Sequence, residues 1–406
     1  MSHNQTVCQV RAVASLATLY IFRMLGLFMV LPVLTLSEKE YSGSTVLLLG
    51  MALGVYGLTQ ALLQIPFGVL SDRFGRKPLI FIGLLLFVAG SLVAACADSV
   101  SGLIIGRALQ GGGAIAGVIM AMVGDVTTVE NRSKAMAAIG ASIGLAFALS
   151  LILGPFISSI SLFNITGIRM IFWVAVVLSL FSVVILFWAV PNPMAVDQAS
   201  SALSMDHLSK VLKNQQCFLL YFSVFVLHYT LMALFVVVPL LLKQVDIDRA
   251  NHSWVYLGVM LVSFIVIIPL MIIGEKKQRV KHLLQLAIGM LVISLLLLVV
   301  VPHTLVGVVI LLGVFFIGFN YLEANLPSLL TRILEQQSRG AGSGVFATSQ
   351  FLGAACGAMV SGWLYAWSGV TATLASVSLF LLVWLVLTNK MIIPQQRQAA
   401  VAETVN

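Results

Sequence analysis

Long apolar runs separated by short polar breaks fill nearly the whole chain. Runs near 13–36, 45–70, 78–97, 101–123, 134–158 and 169–190 occupy the first half, and runs near 217–242, 253–274, 282–301, 305–331, 341–367 and 370–392 the second. Most reach or exceed the roughly 20 residues that an α-helix needs to cross a bilayer. In lipid each must be helical, because its backbone polar groups find partners only within the segment. The pattern predicts an all-α polytopic membrane protein with twelve transmembrane helices, six in each half. The run at 13–36 is too long for a signal-peptide core and lacks a small-residue cleavage site, so it is expected to be retained.

The longest polar interruption, 191–216, divides the chain into a six-helix bundle at 1–190, a linker, a second bundle at 217–393 and a tail at 394–406. Within the linker, Met205, Leu208, Val211 and Leu212 recur at helical spacing beside Lys210 and Lys213, which predicts a short amphipathic helix on the inner leaflet. A faint repeat relates the halves: Pro66, Asp72, Arg73 and Arg76 recur at constant offset as Pro269, Glu275, Lys276 and Arg279. Two pseudo-symmetric copies of one unit follow.

Composition agrees. Hydrophobic residues make up 60%, charged residues 9%, and mean hydropathy is +1.08, whereas a soluble domain carries about a quarter charged residues. The net charge of +8 points to anionic lipid and topology, and not to nucleic acid, because the basic residues sit in short loops. Of the 22 Lys and Arg, sixteen lie at the termini and in the even-to-odd loops. Lys39, Arg169, Lys243 and Arg249 occupy the opposite loops, and Arg23 and Arg107 lie inside spans. Both termini are therefore expected in the cytoplasm. Cys8, Cys96, Cys217 and Cys356 are scattered, so neither a disulfide framework nor a metal site is expected, and no cofactor.

The turn between the second and third runs, Gly68-Val69-Leu70-Ser71-Asp72-Arg73-Phe74-Gly75-Arg76-Lys77-Pro78-Leu79, concentrates four charges. Gly68 and Gly75 permit a tight backbone and Pro78 suits the first turn of a helix. This loop resembles the signature of the major facilitator superfamily. The phrases Arg23-Met24-Leu25-Gly26-Leu27-Phe28-Met29-Val30-Leu31-Pro32 and Tyr56-Gly57-Leu58-Thr59-Gln60 are similar to its drug:proton antiporter branch and to inner-membrane transporters within it. The resemblance implies two bundles rocking around a central cavity. It also implies that the Asp72 loop docks near Gly340–Gly344 when the cavity faces outward, and that Asp125 meets Arg73 or Arg76. The second copy has Met271 and Gln278 where the first has Gly68 and Gly75, so the first loop is expected to carry the switch.

Ionisable groups at mid-bilayer cost about 2.5–3.5 kcal/mol on the lenient scale, so each needs a partner, water or a task. Arg107, in Arg-Ala-Leu-Gln-Gly-Gly-Gly with Gln110, resembles the family's helix-four motif, whose arginine is associated with proton coupling; the alternative is an arginine held by carbonyls or an amide. Glu323 shares a helical face with Asn320 and Pro327. Burial there favours a neutral carboxyl, poised to change protonation during transport; the alternative is a fixed pair with Arg23 or Arg107. Tyr56, Gln60 and Gln64 form one polar stripe at i, i+4 and i+8, which predicts a water-filled neighbour or helix-to-helix bonding. His228 is a weaker candidate for the same cavity or for sensing protons. Trp363 and Trp367 read as interface anchors. Gly154 and Pro155, after Gly140 and Gly144, resemble the antiporter motif, although Ser158 and Ser159 replace its closing glycines.

The reading is a proton-coupled exporter of small molecules, expected as a monomer in the inner membrane. A proton-coupled importer or facilitator of sugars or metabolites is the alternative, and a receptor or scaffold the rival of another class. Nothing resembles an enzyme's nucleophile, metal spacing or phosphate loop, so no enzyme is expected.

Overall fold

The computed structural model describes residues 3–191, 205–301, 304–334 and 338–392, almost all of them helical. The first half contains α1 (His3–Phe28), α2 (Val46–Phe74), α3 (Arg76–Cys96), α4 (Val100–Gly112), α5 (Ala116–Val126), α6 (Val129–Ser158) and α7 (Ile168–Trp188). The second contains α8 (Met205–Lys213), α9 (Gln215–Gln244), α10 (His252–Lys276), α11 (Val280–Val300), α12 (Leu305–Ile333) and α13 (Arg339–Leu387). Among the described residues eleven helical stretches are long and apolar enough to cross a membrane. The last, 340–390, holds two spans joined at Gly369, where φ is +70°, so the predicted twelve crossings are present. The amphipathic segment forms α8; the rest of the polar linker, 192–204, and the tail lie outside the described residues.

Two boundaries differ from the hydropathy pattern. The first run continues apolar to residue 36, yet α1 stops at Phe28 and the chain passes into a 3-10 turn at Leu34–Leu36, since Pro32 cannot donate to a helical ladder. The fourth run is split. At Gly113, Ala114 and Ile115 the backbone bonds shorten in register, Ala114 N donating to Gly112 O at 2.9 Å and Ile115 N to Gly113 O at 2.8 Å. Hydropathy cannot register such a break, because glycine keeps the run apolar while releasing the helix.

The halves meet through α2 with α13 and α6 with α10. Along α2, a Cβ at Gly50 would lie 2.8 Å from Ala358 O and 2.9 Å from Gly362 Cα, and one at Gly57 2.8 Å from Phe351 O, so the two backbones touch. Ser253 Oγ donates to Ile152 O at 2.7 Å and Thr35 Oγ1 to Phe235 O at 3.5 Å. Phe147 of α6 reaches Phe316 and Phe319 of α12 at ring separations of 6.4 and 6.0 Å. The contacts of Gly50, Thr35 and Ser253 lie toward the end of the bundle that carries Glu40, and those of Gly57 and Phe147 nearer mid-span. At the Asp72 end, Gly68 of α2 and Gly340 and Gly344 of α13 face open space. In this conformation the halves are in contact at the Glu40 end.

Candidate functional site: two polar clusters and two end clasps

Arg23 and Arg107 are both 0% exposed. Arg23 Nη2 reaches Gly113 O at 2.6 Å and Gln60 Oε1 at 3.0 Å, with Tyr56 Oη at 3.3 Å. The break between α4 and α5 thus supplies the carbonyl that receives this buried cation. Gln60 Nε2 donates to Gln64 Oε1 at 3.2 Å. Arg107 Nη1 donates to Gln110 Oε1 at 2.7 Å and Nε to Ala52 O at 3.3 Å, and its guanidinium lies 4.7 Å over the Tyr56 ring. Gln110 in turn donates to Ser91 Oγ at 2.7 Å. Tyr56 therefore links two guanidiniums whose described partners are all neutral: carbonyls, amides, a hydroxyl and ring faces.

Tyr56, Gln60, Gln64 and Gln110 are buried in this conformation, and here the stripe makes helix-to-helix bonds, one of the two expected readings. Arg107 is held by α2 and its own helix. Proton coupling by Arg107 is what its resemblance to the helix-four motif implies, and Arg23, the other arginine inside a span, is a candidate for the same task.

The second cluster joins α9, α12 and α13. Glu323 pairs with neither arginine; its Oε2 lies 3.6 Å from His228 Nε2. Its side chain is 37% exposed, so the burial expected at this position is incomplete and the carboxylate keeps access to the space around it. His228 Nδ1 sits 3.1 Å from Val224 O and Nε2 2.7 Å from Gln350 Nε2. Asn320 is engaged beside them, donating to Ser263 Oγ at 2.7 Å. Gln350 went unnoticed in the sequence, although a lone amide within the 341–367 run carried the same signal as Gln60.

At one end of the bundle, Arg76 bonds Asp72, Ser71 Oγ at 2.6 Å and Asp125 Oδ2 at 3.1 Å. The Asp125 partner is Arg76; Arg73 is exposed, lying over the Phe74 ring. Gly75, with φ +94°, makes the tight link between α2 and α3. The second copy keeps a clasp of its own: Glu275 at the end of α10 holds Arg332 near the end of α12 at 2.5 Å. Loss of the two glycines has not emptied this loop of charge pairing.

At the opposite end, Glu40 and Arg249 form a clasp between halves that charge counting had assigned only to topology. Arg249 Nη1 donates to Glu40 Oε1 at 2.7 Å and Nη2 to Leu36 O at 3.0 Å. Glu40 Oε2 also accepts from Ile168 N at 2.8 Å, a carboxylate on the N-terminus of α7 where the helix dipole favours it. Gly167 is required there: φ is +66° and a Cβ would run into the Glu40 carboxylate. Gly154 of the antiporter-like motif packs on the Met29 backbone, and Pro155 lies inside the last turn of α6.

The profile of the Major Facilitator Superfamily matches residues 16–331 and again 220–402. The chain belongs to the major facilitator superfamily. Within this superfamily it is 39% identical over 390 residues to the inner membrane transport protein YajR of Escherichia coli, covering 96% of this chain and 85% of the relative. It is 24% identical over 365 residues to the multidrug resistance protein MdtH of Yersinia enterocolitica, covering 88% of each. The crystal structure of a D-xylose–proton symporter superposes with a TM-score of 0.75 at 15% identity, covering 96% of this chain and 99% of that one. That of the human organic anion transporter MFSD10 gives 0.69 at 18%, covering 94% and 99%. The superfamily fold and these relatives are those of multi-pass membrane transporters, not enzymes.

Proposed function

We propose that this transporter couples proton movement to export of a small molecule by alternating access, with Glu323 as the proton-carrying group. The observation that carries the reading is the Glu323 carboxylate, the acidic residue deepest in a span, open on one side and 3.6 Å from His228 Nε2 on the other. A carboxylate that water can reach and an imidazole can pair with gains and loses a proton as the surroundings open to either side. One charge moving through 100 mV is worth about 2.3 kcal/mol, which supports roughly a fifty-fold solute gradient. Residues 1–190 and 217–393 act as the two rocking bodies, with 191–216 as the linker and 394–406 as a tail. The protein works as a monomer in the inner membrane, with both termini cytoplasmic, the Asp72 loop as the conformational switch and Gly340 on its docking surface.

The test uses proteoliposomes with a pH dye inside and a panel of candidate solutes. Wild type should move protons when its solute is added. Glu323→Gln should retain solute exchange and lose proton movement, since the amide keeps the shape but takes up no proton. Proton movement at the parent's rate would make Glu323 structural.

Orientation is tested separately. A reporter fused after Pro191 or at the C-terminus should report cytoplasm and one after Asp246 the far side; the reverse at either site overturns the assignment.

A further inference from the structure

We infer that Gln350 is the positioning residue through which the protonation state of the His228–Glu323 pair is passed to α13 and so to the contact between halves. The inference rests on the proton-site reading above. His228 Nδ1 faces Val224 O at 3.1 Å, and a carbonyl can only accept, so Nδ1 carries a hydrogen. In the neutral ring Nε2 is then a bare acceptor. Gln350 Nε2, at 2.7 Å, can only donate, and it fills that acceptor. Glu323 Oε2, at 3.6 Å, is too far for a hydrogen bond. In this hydrogen-bond pattern the ring carries no hydrogen on Nε2.

A proton arriving on Nε2 through the exposed carboxylate puts two donors face to face in a buried site. Glu323 gains by closing on the imidazolium, and Gln350 must turn its carbonyl inward or withdraw. From α12 the ring meets Glu323 and Phe319, and from α13 uncharged Gln350. Cys356 of α13 lies farther along, beside Tyr229. Among the described residues no other charged side chain pairs with the ring.

Gln350 is well placed to transmit the change. The next residue, Phe351, presents the carbonyl that abuts Gly57 of α2. Gly353 and Gly357 seat α13 against the α9 backbone at Phe225 and Tyr229. Close packing on both sides leaves α13 little room for a purely local adjustment, so displacement of Gln350 shifts the junction between halves.

The experiment follows conformation without substrate. Spin labels at Phe74→Cys and Thr331→Cys, both exposed near the Asp72 end, report the opening by electron–electron double resonance between pH 8 and pH 5. The native cysteines are removed. Wild type should change its ratio of distance populations about fivefold or more, and Glu323→Gln should flatten the curve. Gln350→Leu should flatten it too. Gln350→Glu, whose ionised carboxylate can only accept, should raise the midpoint by about one pH unit. If Gln350→Leu does not fold, the midpoint of Gln350→Glu decides alone. If both Gln350 variants follow the wild-type curve while Glu323→Gln is flat, the inference falls and the proton-site reading stands. If Glu323→Gln also follows wild type, the reading falls and the inference with it. A flat wild-type curve overturns the inference.

Discussion

Gly50→Leu is expected to open the Glu40 end of the transporter. A Cβ at this position meets Ala358 O and Gly362 Cα at 2.8 and 2.9 Å, and backbone atoms cannot rotate away as a side-chain tip can. The extra side chain must push α13 off α2. Overpacking costs about 1–3 kcal/mol, and the cost falls on the state in which these helices touch. The alternative state, with the halves parted here, escapes it, so the ratio of states should move by roughly 5- to 150-fold. A single cysteine replacing Thr35, which is buried at the junction, reports the change by labelling in a background lacking Cys8, Cys96, Cys217 and Cys356. Faster labelling in Gly50→Leu is the expected result. Unchanged labelling in folded protein would mean that α2 and α13 do not separate at this end during the cycle.

Arg249→Ala should act in the same direction by electrostatics. Its guanidinium spans the halves through Glu40 and Leu36, with side chains 27% and 23% exposed for Arg249 and Glu40. Hydrogen bonds to charged groups are worth about 1.5–3 kcal/mol when buried. Partial exposure trims this to about 1–2 kcal/mol, or roughly a five- to thirty-fold gain in Thr35→Cys labelling. Arg249→Lys should recover part of the effect, because an ammonium keeps the charge but cannot match the two-pronged grip on a carboxylate and a carbonyl. If Arg249→Ala labels like the parent, the pair is a passive contact of the closed state.

The number of membrane crossings and their helical type were determined by the sequence itself. In lipid, an apolar run of sufficient length has one way to satisfy its backbone, so hydropathy is a direct reading of structure. The loop at Asp72 was legible for a related reason: charges are rare enough here that a cluster of them between two spans has few meanings. The polar residues inside the spans were also visible, because each is costly there.

Their partners were another matter. Arg23 is served by a carbonyl freed at a helix break ninety residues away, and in an apolar run the hydropathy of three consecutive glycines gives no sign that its ladder will open. Glu323 could have paired with any of several buried cations. The packing of α9 against α12 and α13 gave it His228, and gave His228 the amide of Gln350. Arg249 reads in the sequence as one more loop charge; only the approach of the halves makes it a clasp. Sequence pattern specifies what each helix must bury. Which polar groups meet, and at which end the bundle closes, is decided by long-range packing between helices whose apolar faces look alike along the chain.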